Sequence, residues 1–332
     1  MVLLRNSPLS SQLLPEGMSK PSSVFRDRIR NWHEYNRALI NRGRLTVGFD
    51  AQAIAGWRHT APATGPGAPR RYADLAIECA LVFKSVYHLS LRAAQGFLSS
   101  VMELMRLTLP IPDYSTVSRR QGALHVAVSA LLRSCPRHIV IEATGLRVYG
   151  VGDWRVWKHR VCRRRTWRKL HLGIDEATKE IGAVELTGSH VHDSQQLPSL
   201  LDQICDPIAQ VSGDGAYDTR ACYEAVLQRR ATPTFVPRRT ARLGTGKDPT
   251  GWRAARHGIL QQIAVHGRSV WRPLSGYTRQ SIAENTMFRF KRLFGGRLWA
   301  WRYATQRTEA LVKCAVLNRM TQLGMPETLR IG

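Results

Sequence analysis

A change of hydrophobic period at Pro136 constrains this chain more than any other feature. From Tyr72 to about Leu132, apolar residues recur at three- and four-residue spacing, in ADLAIECALVFKSVY, LSLRAAQGFLSSVMELMRL and STVSRRQGALHVAVSALL. That is the repeat of helices that bury one face. After Pro136 come short β-branched runs: HIVIEATG (138–145), KLHLGID (169–175) and EIGAVELTG (180–188). Asp175-Glu176-Ala177-Thr178 supplies a turn, so the last two runs read as a hairpin. A helix is expected from about Asp193 to Ile204, a strand over 208–214, a helix over 219–230 and a strand over 232–237. Helices then follow over 253–265, 278–294 and 305–323. Strand, hairpin, helix, strand, helix is an α/β order that builds a mixed sheet.

Residues 1–22 carry Ser, Pro and Leu without a period, and APATGPGAPR (61–70) is Pro, Gly and Ala punctuation. The chain therefore divides into a flexible N-terminal arm and linker (1–71), a small all-helical domain (72–135) and an α/β domain (136–332) with a basic loop at 238–252. In the helical domain Leu109-Pro110-Ile111-Pro112 separates the second helix from the third, which Asp113 or Ser115 can cap. Three short helices with Arg119 and Arg120 near the start of the last resemble a helix-turn-helix, whose recognition helix meets base edges. A plain bundle with a solvated basic end is the alternative.

Lys and Arg number 49 against 24 Asp and Glu, a net charge of +25 and a pI near 10.9. Such a chain attracts polyanions from a distance, and DNA is the expected partner, because each neutralised phosphate releases counterions. A ribosome-associated or membrane-surface protein would share the charge. The cysteines form no Cys-x-x-Cys pair, which argues against a zinc ribbon or a disulfide framework. No stretch approaches the ~20 apolar residues of a membrane span, and the N-terminus lacks a signal-peptide core. A cytoplasmic, nucleoid-associated protein without membrane contact is expected.

Acids are scarce, so those at strand ends stand out. Glu142 lies on the first strand of the α/β part and Asp214 closes the fourth, near the carboxyl edge where sites in such folds gather. Glu284 lies in a basic helix, SIAENTMFRFKRLF. Together they are candidate catalytic residues and metal ligands for two Mg²⁺ ions, with Mn²⁺ able to replace them. Taken singly, each acid also reads as a cap or ion-pair partner. The run RVWKHRVCRRRTWRK (155–169), with Arg164, Arg165 and Arg168, reads as a DNA-tracking ribbon or as a solvated basic loop with tryptophans in the core. His190 and His192 precede a helix start and read as entry residues rather than ligands.

The sequence resembles the insertion-sequence-five family of transposases, of the DDE class with a ribonuclease-H-like core. The resemblance runs from about Tyr72 to Pro326. It is carried by LSLRAAQGFLSSVMELMRLTLPIPDYSTVSRR (89–120), ATGLRVYG (143–150), RRTWRKLHLGID (164–175), GDGAYDT (213–219), GYTRQSIAENTMFRFKRLFGG (276–296) and AVLNRMTQLGMP (315–326). It implies a ribonuclease-H-like mixed sheet flanked by helices, with the catalytic carboxylates on Glu142, Asp214 and Glu284. The family signature around its last acid (Tyr, two residues, Arg, three residues, Glu, six residues, Lys) is matched by Tyr277, Glu284 and Lys291. That spacing would put the three roughly on one helical face. Tyr277, Arg279 and Lys291 are then expected to contact DNA.

Two positions depart from the family pattern. Glu142 stands where the family has Asp, and Gln280 where it has Arg. The extra methylene moves the carboxylate by about 1.5 Å, and the loss of Arg removes a fork-shaped phosphate donor that the adjacent Arg279 would partly replace. The resemblance implies metal-dependent strand cleavage at insertion-sequence ends and strand transfer into target DNA, by a homodimer holding two terminal inverted repeats. The departures leave open an impaired copy that grips the ends as a DNA-binding protein or repressor; a metal-dependent nuclease without strand transfer is a third reading.

Overall fold

The computed structural model describes residues 26–43, 51–60, 70–128, 137–148, 166–242 and 250–331. In chain order these form β1 (Arg26–Ile29), α1 (Trp32–Arg42), α2 (Ala51–Ala55), α3 (Asp74–Val86), α4 (Leu91–Leu104) and α5 (Tyr114–Arg120). Next come β2 (Arg137–Val148), β3 (Trp167–Asp175), β4 (Ile181–Gly188), α6 (Leu197–Asp202), β5 (Ile208–Gly213), α7 (Arg220–Gln228) and β6 (Thr232–Phe235). The chain closes with α8 (Trp252–Leu274), α9 (Gln280–Phe294), β7 (Arg297–Leu298), α10 (Tyr303–Gln322) and β8 (Thr328–Ile331).

The main sheet runs β4-β3-β2-β5-β6, with β7 also paired to β2. β2, β3 and β4 are antiparallel neighbours, while β5 joins β2 in parallel and β6 joins β5 in parallel. This mixed order, with helices on both faces, is the ribonuclease-H-like arrangement. β2 is its centre because both of its faces are apolar: Ile139 and Ile141 enter one buried cluster, Val140 and Leu146 the other. Each such side chain, fully buried, contributes roughly 1.5–3 kcal/mol. The first cluster packs under α6, α7 and α8, and the second under α3, α4, α9 and α10.

The helical region therefore has no core of its own. Ile77, Leu98 and Val117 share one cluster with Val140, Leu170 and Leu186 of the sheet. The third helix is shorter than its apolar period suggests. Asp113 caps it by accepting from the Ser115 N–H (2.8 Å), but it ends at Arg120, a 3₁₀ turn follows, and Leu124 and Val126 continue as buried, non-helical chain. Burial of those two side chains in the cluster shared by helices and sheet outweighs helix propensity there.

Residues 26–43 and 51–60 also correct the expectation of an arm over 1–71. β1 pairs antiparallel with β8 at the other end of the chain. Asn31 donates to the Met325 carbonyl (3.1 Å), Arg42 donates to the Gly324 carbonyl (2.7 Å), and Asn31 accepts from Glu327 N–H (2.8 Å). Gly324 has φ +139°, and a Cβ there would lie 2.8 Å from that of Ala38, so α1 closes onto a position that admits no side chain. Residues 1–25, 44–50 and 61–69, where the rest of the expected arm and linker falls, lie outside the described residues.

Candidate active site

The site begins with an interruption in strand pairing. β5 accompanies β2 only as far as the register Val140↔Ser212, and β7 takes up the same edge at Arg147↔Arg297. Between them, the stretch of β2 around Glu142 has no strand on that side among the described residues. Divergence of neighbouring strands leaves a crevice at the carboxyl end of a sheet, which is where such folds place ligands. Asp214 follows β5 directly, so the continued register sets it level with Glu142. Gly213 before it is required by close approach: a Cβ would meet the Tyr217 ring at 2.7 Å. Asp214 itself is exposed and accepts from the Ala216 N–H (2.9 Å), capping a short 3₁₀ turn.

α9 crosses the same opening. Its first residue, Gln280, is buried and donates from Nε2 to the Ile141 carbonyl (2.9 Å) and to Glu142 Oε2 (3.0 Å). The other Glu142 oxygen accepts from the Ala143 N–H (3.2 Å). The two departures from the family pattern are thus in contact with each other. Gln280 Oε1 is buried without a hydrogen-bond partner. Burial pushes the Glu142 pKa up; the hydrogen bonds from Gln280 and Ala143 pull it down, and the charges of Asp214 and Glu284 push it up again. Asp214 and Glu284 are therefore both near enough for their charges to act on Glu142.

They do not converge. Among the described residues no three His, Cys, Asp or Glu side chains come close enough together to hold a metal ion. The donor set nonetheless has the right chemistry for a hard divalent cation: three carboxylates, two of them exposed. A carboxylate offers about four acceptor positions, so the bonds that Glu142 already makes leave it able to coordinate.

Glu284, Phe288 and Lys291 are all exposed on α9, and Phe288 is 67% exposed. Tyr277 does not continue that helix face, because it lies in a 3₁₀ turn (Tyr277–Arg279) that follows Gly276. Its ring stacks on Trp271 (centroids 5.9 Å apart) and carries the Arg272 guanidinium at 5.8 Å. Burial raises its hydroxyl pKa, followed by the charge of Asp214, with Glu142 and Glu284 adding smaller increments. Tyr217 also borders the site: its buried hydroxyl has no hydrogen-bond partner, and its pKa is raised first by burial and then by Asp193, Asp214 and Glu142. Tyr217 lies within GDGAYDT but has no role assigned there, and the Gln280–Glu142 contact does not follow from spacing along the chain.

The expected DNA contacts are dispersed. Arg279 pairs with Glu176 (2.9 Å) beside a 510 Å³ cavity lined by His138, Gln210 and Gly276. Arg168 donates to Gln306 (2.8 Å) and lies over the Tyr303 ring. Arg120 is tied to the Tyr72 carbonyl and to Asp74, whereas Arg119 is exposed next to a 380 Å³ hollow that also involves Ser90, Arg92, Tyr114 and Ser118. Arg164, Arg165 and most of the basic ribbon, with residues 243–249 of the basic loop, lie outside the described residues. His192 caps a 3₁₀ turn, its N–H donating to Gln195 (3.3 Å), as an entry residue should.

Residues 133–319, more than half of the chain, match the family described as Transposase DDE domain, and residues 40–151 match a second family of the same description. The chain is also similar to a solved piggyBac transposase synaptic complex with hairpin DNA. The match is 11% identical with a TM-score of 0.36, covering 85% of this chain and 73% of the other. That likeness is too loose to carry a functional argument. No helix among the described residues is long and apolar enough to cross a membrane.

Proposed function

The chain belongs to the transposase DDE-domain family, and from that premise we propose that it cuts DNA at the ends of an insertion sequence and joins those ends to target DNA. The observation that carries this reading is the placement of Glu142 on β2 and Asp214 just after β5 at the opening where those strands part, with α9, which bears Glu284, bonded to Glu142 through Gln280. These three carboxylates would hold Mg²⁺, two ions in the reading adopted here, with Mn²⁺ as a substitute. Such ions activate an attacking oxygen and neutralise the charge that builds on the phosphate. Lys291 holds a phosphate from the solvent side of α9. Tyr277, braced by Trp271, sets the wall of the crevice against which the scissile strand lies. Asp214, on its short capped turn, and Glu284, exposed on α9, draw toward Glu142 as DNA enters. Arg119 contributes to recognition of the terminal inverted repeats, and two chains act together because two ends must be held at once.

Cleavage of supercoiled plasmid bearing matched element ends, in Mg²⁺, tests this reading. Asp214→Ala and Glu284→Ala should each abolish cleavage while leaving duplex binding intact. Undiminished cutting by either variant would remove the carboxylate assignment.

One observation favours a second reading. Both Glu142 oxygens already accept hydrogen bonds, and the acids stand apart. A copy that binds element ends without cutting them, as a repressor would, is consistent with that geometry. In the same assay it would bind the ends and give no cleavage in either Mg²⁺ or Mn²⁺.

A further inference from the structure

The strap between α9 and α10 exposes large aromatic rings while its backbone is firmly held. Trp299 is 44% exposed and Trp301 69% exposed. Isolated exposed tryptophans are common on loops that move, but here the main chain is tied at nearly every residue. β7 pairs with the end of β2. The carboxylate of Glu309 accepts from the Trp299 and Ala300 N–H groups (both 2.9 Å to Oε2). Lys313 pairs with Glu309 (2.7 Å) and donates to the Arg297 carbonyl (3.0 Å), and Gln306 donates to the Ala300 and Trp301 carbonyls (3.1 and 3.0 Å). Glu309 and Lys313 are 6% and 3% exposed. Burying a charged pair carries a desolvation penalty, and here the pair's bonds go into positioning a strap whose rings face water. Preorganised aromatic surface of this kind is what a binding site needs.

The surrounding charge selects the occupant. RLWAWRYATQR (297–307) contains no acid, and Arg297 and Arg302 are exposed on either side of the tryptophans. Arg297, Arg147 and Trp167 are register partners across β7, β2 and β3, so their side chains leave the same face of the sheet. Trp167 is 43% exposed and its ring covers Gly145. Phosphates match the arginines, and flat rings match bases whose faces are free, which paired duplex does not offer. The strap joins β2 at Arg147, about 17 Å along the strand from Glu142, and the odd five-residue step sets Arg147 and its register partners on the face opposite Glu142, so a strand reaching both must pass over the sheet edge. We infer that the strap around Trp299 and Trp301 is a stacking site for unpaired DNA bases flanking the cleavage point. This rests on the transposase reading above and deepens it.

Binding of three labelled probes tests the inference: a blunt duplex, the same duplex with an oligothymidylate tail, and the same tail built from abasic units. Stacking of one base predicts that Trp301→Ala binds the thymidylate-tailed probe about 5- to 150-fold more weakly than the parent chain. Its affinity for blunt duplex should be unchanged, and the parent should bind the abasic tail as weakly as the variant binds the thymidylate one. Trp301→Phe keeps a ring and should recover most of the loss. Equal tail affinity for the parent and Trp301→Ala, or an equal loss on blunt duplex, overturns the stacking site and leaves the transposase reading standing. A parent chain that binds none of the probes sinks both.

Discussion

Glu142 and Gln280 show why single departures from a family pattern are poorly judged one at a time. Gln280 donates to the Glu142 carboxylate within a buried slot. Shortening Glu142 to Asp withdraws the acceptor by about 1.5 Å and leaves a buried amide short of a partner, while an arginine at 280 meets a longer acid than the family provides. Residues in one hydrogen-bonded pair couple by about 0.5–3 kcal/mol. Glu142→Asp alone should therefore cleave no faster than the parent, and Glu142→Asp with Gln280→Arg should exceed both single variants. Strand-cleavage rates for the four proteins measure this; single effects that simply add would show the two sites to be independent. His171 makes a separate prediction about pH. Burial pulls its pKa down to about 4, with Asp193 opposing and Lys169 adding to the fall, against about 6.5 in the unfolded chain. The unfolded state then takes up the proton first. Stability from the neutral imidazole is complete above about pH 6.5 and is lost as pH falls toward 4, on the order of 3 kcal/mol in all. Denaturant unfolding of the parent and His171→Gln, compared across that interval, should show the steeper slope in the parent, since His138, also pulled down by burial, titrates in both.

At the scale of elements, α5 separates two arginines that are adjacent in sequence. Arg120 turns back to the Tyr72 carbonyl and to Asp74 at the start of α3, so it fastens one helix to another. Among the described residues Arg119 bonds locally, to Thr116 (3.3 Å), and it faces solvent. Arg120→Ala should cost about 1–2 kcal/mol of stability. Arg119→Ala should leave stability within about 0.5 kcal/mol and lower the preference for element ends over random duplex. Thermal melts and competition binding separate the two effects. Loss of end preference from Arg120→Ala without a change in stability would reverse the assignment. The pattern of charges along α5 could not have divided these roles, since both arginines fall in its last turn.

Over the whole molecule, the first and last described strands are paired. β1 and α1 hold the segment after α10 through the β1–β8 ladder and the bonds of Asn31 and Arg42. A chain beginning at residue 44 should be less stable by at least about 2 kcal/mol and show a smaller denaturant slope, since less surface is then exposed on unfolding. An arm without contacts would leave both unchanged, and equal unfolding curves would establish that. The net charge of +25 belongs to the same scale. Duplex affinity should fall roughly a thousandfold or more between 50 and 200 mM salt if six or more phosphates are neutralised, and a flat response would exclude DNA as the main partner.

Periodicity along the chain was enough to mark the three strands after Pro136, the hairpin turn at Asp175, the α/β order and the cap at Asp113, because each depends on neighbours a few residues apart. Acid scarcity made candidates of Glu142 and Asp214 at strand ends and of Glu284 in its basic helix. Tertiary packing decided what depends on distant residues meeting. It shortened α5, because Leu124 and Val126 are buried as non-helical chain in the cluster shared by helices and sheet. It recruited residues 26–43 to the fold through partners nearly 300 positions away. It set Gln280 against Glu142, and it held Trp299 and Trp301 at the surface by burying Glu309 and Lys313 beneath them. Contacts of that range leave no period in a sequence, since they are selected by the closure of the whole chain around its two cores.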